Sequence, residues 1–285
     1  MTERTVKIQL PDSTLTAVTV YENDAANQVA VFFPAMGVAA AYYQPFIMNL
    51  AANKIIAVSA DLRGLGLSGV RPARGMDFGF HEMLEADYKG IMDKMHALYP
   101  SCKKYMIGHS LGGILASLFL ARHPESADGL VLIASGNIHY KNWDGWKKYQ
   151  VLFATQFFRL LASAVGYFPG DKIGFGGVGA KTVMHDWSYT ARTGRYKVSR
   201  SAFDYEPAFK KITVPVLAIS FSRDDLTPPR ATKHLCGKMS SAAIEYACLD
   251  MHPASGRHYS HYNWVKQNDE VVNLIKNWMY KHNKK

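Results

Sequence analysis

The hydrophobic pattern of the chain alternates between short buried strands and amphipathic helices. Residues 5–10 and 15–21 alternate polar and apolar positions around a Pro-Asp-Ser turn, which predicts an antiparallel hairpin. A continuous apolar run at 29–33 predicts a strand buried on both faces, and 55–60 is the next buried strand. Further strands are predicted at 105–107, 130–134, 214–220 and 243–249. Helical patterns cover 42–52, 81–98, 111–121 and 264–280. This alternation predicts an α/β fold with a mostly parallel central sheet flanked by helices.

The alternation of strands and helices breaks down between residues 136 and 205. This segment is rich in aromatic residues but has no clear strand pattern, and it is too long for a simple loop. We therefore expect an inserted helical cap, or lid, at 136–205 over an α/β core formed by 1–135 and 206–285. Most of the cap aromatics should form its own core, and some should line an apolar pocket.

Composition indicates a globular protein of a reducing compartment. The chain has 285 residues, 48% of them hydrophobic, and a net charge of +10 from Lys and Arg spread along its length. A dispersed charge favours a solvated surface and gives no support for nucleic acid as a partner. The three cysteines, Cys102, Cys236 and Cys248, are not clustered, which argues against disulfides and zinc. We find no signal-peptide pattern and no membrane-length apolar run, and expect a soluble cytoplasmic protein without stable membrane insertion.

The segment Gly-His-Ser-Leu-Gly at 108–112 carries the strongest chemical signal. It lies between a predicted strand and a predicted helix, which is the context that a G-x-S-x-G nucleophile elbow requires. Ser110 must take a strained backbone conformation to expose its hydroxyl, and glycines at 108 and 112 remove side chains that would clash there. The N–H of Leu111 opens the helix and can stabilise an oxyanion. The motif therefore predicts Ser110 as a nucleophile.

From about residue 28 to the end, the chain resembles the α/β-hydrolase superfamily of serine hydrolases. Four segments resemble the family's oxyanion loop, D-x-R-G-x-G-x-S turn, nucleophile elbow and acid loop; they lie at 31–37, 61–68, 108–113 and 214–228. Ser, acid and His follow one another in the family's order. The Pro-Ala-Met-Gly loop and the His-Tyr-Asn-Trp segment are most similar to a poorly characterised bacterial esterase-like branch.

Two neighbouring aspartates fit the acid position that the resemblance implies. Asp224 stands nine residues after Pro215 and four before Pro228, which matches the family on both sides. Asp225 stands four residues before Pro229 but ten after Pro215. We favour Asp224 and keep Asp225 as the alternative acid.

The base must come late in the chain, and three histidines are candidates. His261 opens the His-Tyr-Asn-Trp segment just before the last helix, where the family keeps its catalytic histidine. His258 is the alternative base, and His252 is a third candidate. His109 lies inside the elbow and is expected to pack there or line the pocket, not to act as the base.

The resemblance implies a carboxylic ester hydrolase, with thioester and amide as variants, that works through an acyl-enzyme on Ser110. Asp224 and His261 would complete the catalytic triad, and the backbone N–H groups of Met36 and Leu111 would form the oxyanion hole.

Several other functions are compatible with the sequence. An acyltransferase would use the same triad, a cofactor-free peroxidase-like side activity is compatible with it, and the chain could be a non-catalytic hydrolase-like binding protein. Haloalkane dehalogenases and epoxide hydrolases are disfavoured because they carry an aspartate nucleophile at the position of Ser110. The expected partner is a small-molecule acyl substrate. No metal or organic cofactor is implied, and the sequence leaves the oligomeric state open.

Overall fold

The protein is described by a computed structural model that covers residues 1–23 and 26–283. These residues contain ten strands: β1 (Thr2–Gln9), β2 (Leu15–Glu22), β3 (Gln28–Phe33), β4 (Ile56–Ala60), β5 (Lys103–His109), β6 (Gly129–Ile133), β7 (Tyr167–Pro169), β8 (Val178–Ala180), β9 (Val216–Phe221) and β10 (Ile244–Leu249). Eight of them form a central sheet in the order β1-β2-β4-β3-β5-β6-β9-β10. β2 pairs antiparallel with both β1 and β4, and all later neighbours are parallel.

The helices that accompany these strands are α1 (Gln44–Ala52), α2 (Phe80–Glu82), α3 (Lys89–Leu98), α4 (Leu111–Arg122), α5 (Lys147–Val165), α6 (Gly170–Ile173), α7 (Lys181–Thr193), α8 (Tyr205–Ala208), α9 (Pro229–Cys236) and α10 (Asp269–Asn283). The helix predicted at 81–98 is a continuous run in which a π-helical turn, Met83–Tyr88, joins α2 to α3. Strands and helices therefore confirm the α/β prediction of a mostly parallel sheet between helices.

The helix predicted at 264–280 is interrupted. A 3₁₀ turn, Asn263–Lys266, precedes α10, which begins only at Asp269. The side-chain amide of Asn268 donates to the carbonyl of Val265 at 2.6 Å, while the backbone carbonyl of Asn268 accepts from the N–H of Val272 at 2.8 Å. Asn268 thus ends one turn and starts the next helix, because its short polar side chain competes with the backbone for hydrogen bonds.

The central sheet separates two hydrophobic cores. On β3, Val29, Val31 and Phe33 face one core, and Ala30 and Phe32 face the other. All five side chains are buried. Burial on both faces explains why the inner strands appear in the sequence as continuous apolar runs and not as alternating ones.

Residues 136–205 contain α5, α6 and α7, and also a small antiparallel sheet of β7 and β8. The segment, which was expected to be helical, therefore also contains two strands, and these had no clear sequence pattern because three residues are too few to leave one. The assignment of 136–205 as a cap over a core of 1–135 and 206–285 stays a prediction. Residues 24, 25, 284 and 285 of that predicted core lie outside the described residues.

The parallel strands bring the candidate residues to one edge of the sheet. Ser110 directly follows β5, Asp224 lies three residues beyond β9, and His261 lies on the connection from β10 to α10. The carboxyl ends of neighbouring parallel strands meet at the same edge, which is where α/β proteins place their sites.

Candidate active site

The turn between β5 and α4 holds Ser110 in a strained backbone conformation. Its φ of 52° and ψ of −118° lie in a region that non-glycine residues rarely adopt. Its N–H donates to the carbonyl of Ile133 at 3.0 Å, which fixes the turn to β6. A Cβ at Gly108 would lie 2.3 Å from the backbone of Gly113, and a Cβ at Gly112 would lie 2.3 Å from the carbonyl oxygen of Phe33. Both glycines are therefore required by the close approach of strand and helix.

Two backbone N–H groups near Ser110 are free to bind an anion. Leu111 is the first residue of α4, so its N–H has no intrahelical acceptor. Met36 lies in the loop after β3, and within the described residues its N–H has no acceptor either. Met36 and Leu111 line the same cavity as Ser110. The loop is held in place one residue earlier, where the N–H of Ala35 donates to the hydroxyl of Tyr43 at 3.2 Å.

Asp224 and His261 form a buried pair. Oδ2 of Asp224 lies 2.7 Å from Nδ1 of His261, and the two side chains are 0% and 6% exposed. The other carboxylate oxygen, Oδ1, accepts the N–H groups of Leu226 and Thr227 at 2.8 and 2.9 Å. Because a carboxylate can only accept, Nδ1 of His261 carries the proton, and Nε2 keeps a lone pair for a second partner.

The Ser110 hydroxyl and the His261 ring both line the cavity. Among residues 1–23 and 26–283, no hydrogen bond joins the hydroxyl to the imidazole. Catalytic contacts of this kind are often long before substrate binds and shorten in the complex.

The alternative acid and bases take no part in the buried Asp–His pair, although Asp225 also lines the cavity. The side chain of Asp225 is 88% exposed and pairs with Nζ of Lys147 on α5 at 2.6 Å. His258 is partly exposed and lies 3.2 Å from the exposed carboxylate of Asp250. His252 is also on the outer part of this loop, where its Nδ1 accepts the N–H of Ser255. Among residues 1–23 and 26–283, no hydrogen bond or ion pair joins any of these three side chains to Ser110 or His261.

His109, the elbow residue before Ser110, connects two loops of the site. Its Nδ1 and the hydroxyl oxygen of Tyr43 are hydrogen-bonded at 2.7 Å, and its ring lies 4.7 Å from the ring of His261. Complete burial, with a smaller contribution from His261, holds the pKa of His109 well below 6.5. Trp264 packs on the same ring and donates from Nε1 to the carbonyl of His261 at 3.1 Å. The contacts of Tyr43 and Trp264 were missed by sequence reasoning, since both residues are far from Ser110 along the chain.

The D-x-R-G-x-G-x-S turn supports the loop after β3 and does not line the cavity above Ser110. Oδ1 of Asp61 accepts the N–H of Ala40 at 2.7 Å, and Oδ2 accepts the N–H of Leu67 at 2.9 Å. Arg63 is buried and pairs with Asp87 at 2.6 Å. The turn therefore ties the segment after Met36 to the end of β4.

The cavity above Ser110 has a volume of about 430 Å³ and walls that are mainly apolar. α4 and the β6–α5 connection contribute Ile114 and Ile138, and segment 136–205 contributes Phe158, Phe175 and Trp187. A site of this size and character fits a small organic molecule. In the described part of the chain, no group of three His, Cys, Asp or Glu side chains could hold a metal ion.

Comparison with known proteins identifies the family. The sequence model of the family described as serine aminopeptidase, S33, matches residues 24–170 of this chain, which is more than half of its length. The chain belongs to this family. S33 proteins are serine hydrolases of the α/β-hydrolase superfamily, so the resemblance found in the sequence is confirmed.

Solved structures similar to this S33 protein include several esterases. Est1E from Butyrivibrio proteoclasticus, solved with bound ferulic acid, has 14% identity and a TM-score of 0.67, over 98% of this chain and 100% of that one. The esterase EaEST from Exiguobacterium antarcticum has 14% identity and a TM-score of 0.62, over 96% and 98%. DcsB, solved with a substrate analogue, has 15% identity and a TM-score of 0.67, over 99% and 100%. At these identities the similarity shows that the fold is shared.

Proposed function

We propose that this S33 protein hydrolyses a carboxylic ester through an acyl-enzyme on Ser110. The observation that carries the proposal is the buried contact of 2.7 Å between Asp224 and His261, because His261 lines the same cavity as the strained Ser110. A strained serine beside a histidine that is oriented by a buried carboxylate is the arrangement that activates a hydroxyl.

The first chemical step follows from the protonation states of the pair. The hydroxyl oxygen of Ser110 attacks the carbonyl carbon of the substrate as Nε2 of His261 takes the hydroxyl proton. The resulting imidazolium is stabilised by Asp224, which keeps its negative charge. The tetrahedral intermediate then collapses, the bond between the acyl carbon and the alcohol oxygen breaks, and His261 gives the proton to the leaving alcohol oxygen. A water molecule, deprotonated by His261, then attacks the acyl-enzyme in the same way, and the carboxylic acid is released from Ser110.

The negative charge of the tetrahedral intermediate requires donors that are already in place. The free N–H groups of Met36 and Leu111 are the proposed oxyanion hole, and each such donor contributes about 3 kcal/mol to lowering the barrier. The hydrogen bond from Ala35 to Tyr43 and the Asp61 turn support this role, because they limit movement of the loop before the reaction.

The substrate we propose has an apolar acyl group of modest size. Aromatic walls supplied by Phe158, Phe175 and Trp187 suit an aryl or short alkyl chain, and the aromatic acid bound to Est1E occupies a protein of the same fold. Thioesters and amides are variants of the same reaction. In this proposal, segment 136–205 acts as the cap that shapes the pocket.

Labelling with a fluorophosphonate tests the proposal directly. We expect modification of wild type at Ser110, found by peptide mapping, and none in Ser110→Ala. His261→Ala should lose labelling, whereas the matched variant His258→Ala should keep it. Folded wild-type protein that fails to react, or that reacts at another residue, would refute an activated Ser110 and favour a non-catalytic binding protein.

Turnover of p-nitrophenyl esters of increasing acyl length then tests the substrate class. We expect the highest kcat/KM with short or aromatic acyl groups and a steep fall with long chains, because the cavity volume is limited. Product analysis with added alcohols or amines distinguishes hydrolysis from acyl transfer.

A further inference from the structure

Helix α5 carries an exposed aromatic stripe on its outer face. Trp146, just before the helix, and Phe153, Phe157 and Leu160 within it are 69%, 66%, 57% and 57% exposed. With Tyr149, which is also exposed, they recur every three or four residues and so lie along one side of the helix. We call these five residues the α5 stripe. Scattered exposed apolar residues are normal, but a continuous row of large ones marks an interaction surface.

The helix that carries the stripe on its outer face forms part of the cavity wall with its inner face. On the opposite side of α5, Val151, Ala154 and Phe158 line the cavity above Ser110. The burial that holds α5 in place comes from that inner side and from packing against α7, so the exposed aromatics are not needed to fix the helix.

The charged side chains on α5 itself are all positive, and the two exposed carboxylates near its start, Asp144 and Asp225, are paired with Arg230 and Lys147. α5 contains Lys147, Lys148 and Arg159 and no Asp or Glu. Arg159 also borders a surface cleft of about 440 Å³ between α5 and α7, together with Arg192 and Lys197. Within the described residues, Arg159, Arg192 and Lys197 form no ion pair with a carboxylate. They are therefore free to meet negative charge from outside the protein.

The other titratable groups of the cleft do not cancel this charge. The carboxylate of Asp186 is buried and is engaged by the N–H groups of Phe80 and Ser199. His185 lies beside the cleft, where its Nε2 is 2.8 Å from the hydroxyl of Ser163. Burial, with help from Arg159, lowers the pKa of His185, so the ring is neutral near pH 7.

We propose that the α5 stripe and its cationic flank dock the protein on an anionic lipid–water interface. Exposed Trp, Phe and Leu beside Lys and Arg are the composition with which helices lie in the headgroup region of a membrane. The aromatics enter the boundary of the acyl chains, and Arg159, Arg192 and Lys197 contact headgroup phosphates. No helix among the described residues is long and apolar enough to cross a membrane, and docking of this kind requires none.

A second copy of the chain fits this surface less well. Two-fold pairing of identical stripes would bring the flanking cations of both copies together without carboxylates on α5 to compensate them. An anionic surface instead compensates every cation, and the net charge of +10 adds attraction over a longer range.

Flotation of the full-length protein with lipid vesicles tests this proposal. Wild type should bind vesicles of phosphatidylcholine with added phosphatidylglycerol, and bind pure phosphatidylcholine at least about tenfold more weakly, because the cationic contribution is lost. Phe153→Ser/Phe157→Ser should lower the affinity for anionic vesicles roughly tenfold or more. Arg159→Glu/Arg192→Glu should abolish the preference for phosphatidylglycerol.

The matched control removes equally exposed apolar groups from other parts of the surface. Leu15→Ser/Tyr246→Ser changes side chains on β2 and β10, which are 62% and 52% exposed, and should bind like wild type. Equal binding to neutral and anionic vesicles, or undiminished binding of Phe153→Ser/Phe157→Ser, would overturn the proposal. The proposal would also be overturned if the wild type were a dimer that does not bind vesicles and Phe153→Ser/Phe157→Ser were monomeric. Flotation needs no turnover, so its result is independent of the proposed esterase activity.

Discussion

Asp224→Asn is the substitution whose consequence follows most directly from the geometry. Oδ1 of Asp224 accepts two backbone N–H groups, so the oxygen of an asparagine must stay on that side. The new NH₂ group then faces Nδ1 of His261, where a carboxylate oxygen stood at 2.7 Å. Two donors cannot face each other, so the imidazole must move its proton from Nδ1 to Nε2.

A proton on Nε2 removes the lone pair that should accept the proton of Ser110. The side chain keeps its size and its two backbone hydrogen bonds, so the fold should be retained while the base is lost. We expect kcat to fall by about 10⁴, which corresponds to about 5.5 kcal/mol, as for the same exchange in other serine triads.

The assay is steady-state hydrolysis of a p-nitrophenyl ester, with Asp225→Asn as the matched control. Asp225 is exposed, and its ion pair among the described residues is with the partly exposed Lys147, so its variant should stay within about threefold of wild type. Circular dichroism and the unfolding midpoint establish that both variants are folded. A folded Asp224→Asn protein with kcat within tenfold of wild type, or an equal loss in Asp225→Asn, would refute the assignment of the acid.

Three further predictions concern stability. Gly112→Ala should lower the free energy of unfolding by about 2 kcal/mol, because the new Cβ would lie 2.3 Å from the carbonyl oxygen of Phe33; a urea midpoint equal to wild type would contradict this close approach. Asp61→Asn should cost about 1–3 kcal/mol in the same measurement, because both oxygens accept N–H groups and an amide offers only one acceptor; a neutral result would contradict that role. Stability should fall as pH drops below 6.5, because burial keeps His109 neutral when folded whereas the unfolded chain takes up a proton. The loss should reach up to about 1.4 kcal/mol per pH unit, and thermal scans of His109→Gln should show a shallower slope; an unchanged slope would argue against His109 as the source.

Local sequence patterns were enough to predict the sheet and the elbow. The inner strands β3, β4, β5, β6 and β9 are buried on both faces and so appear as apolar runs, and the glycines around Ser110 follow from a steric requirement within a few residues. The spacing around Asp224 distinguished it from Asp225 only by one residue. Burial and hydrogen bonding, which the sequence does not contain, make the two side chains physically different.

The features that could not be predicted depend on contacts between distant segments. Tyr43 reaches His109 across 66 positions, and Asp61 reaches the N–H of Ala40 from another connection of the sheet. The glycine-rich part of segment 136–205 is another case, since the carbonyl of Gly176 lies where a Cβ on Gly37 would be, 2.0 Å from it. No local period encodes such contacts, because each is produced by the packing of the whole fold.

The neutral state of His109 connects stability to the proposed chemistry. In the proposed mechanism His261 becomes a cation during each acyl transfer, and the ring of His109 lies 4.7 Å away. A second cation at that distance would raise the energy of the imidazolium by about 3.5 kcal/mol at an effective dielectric constant of 20. Burial prevents this by keeping His109 uncharged, with Nδ1 occupied by Tyr43, so that Asp224 is the charged group in direct contact with His261. The same burial that should make the protein sensitive to acid therefore keeps the base able to accept the Ser110 proton.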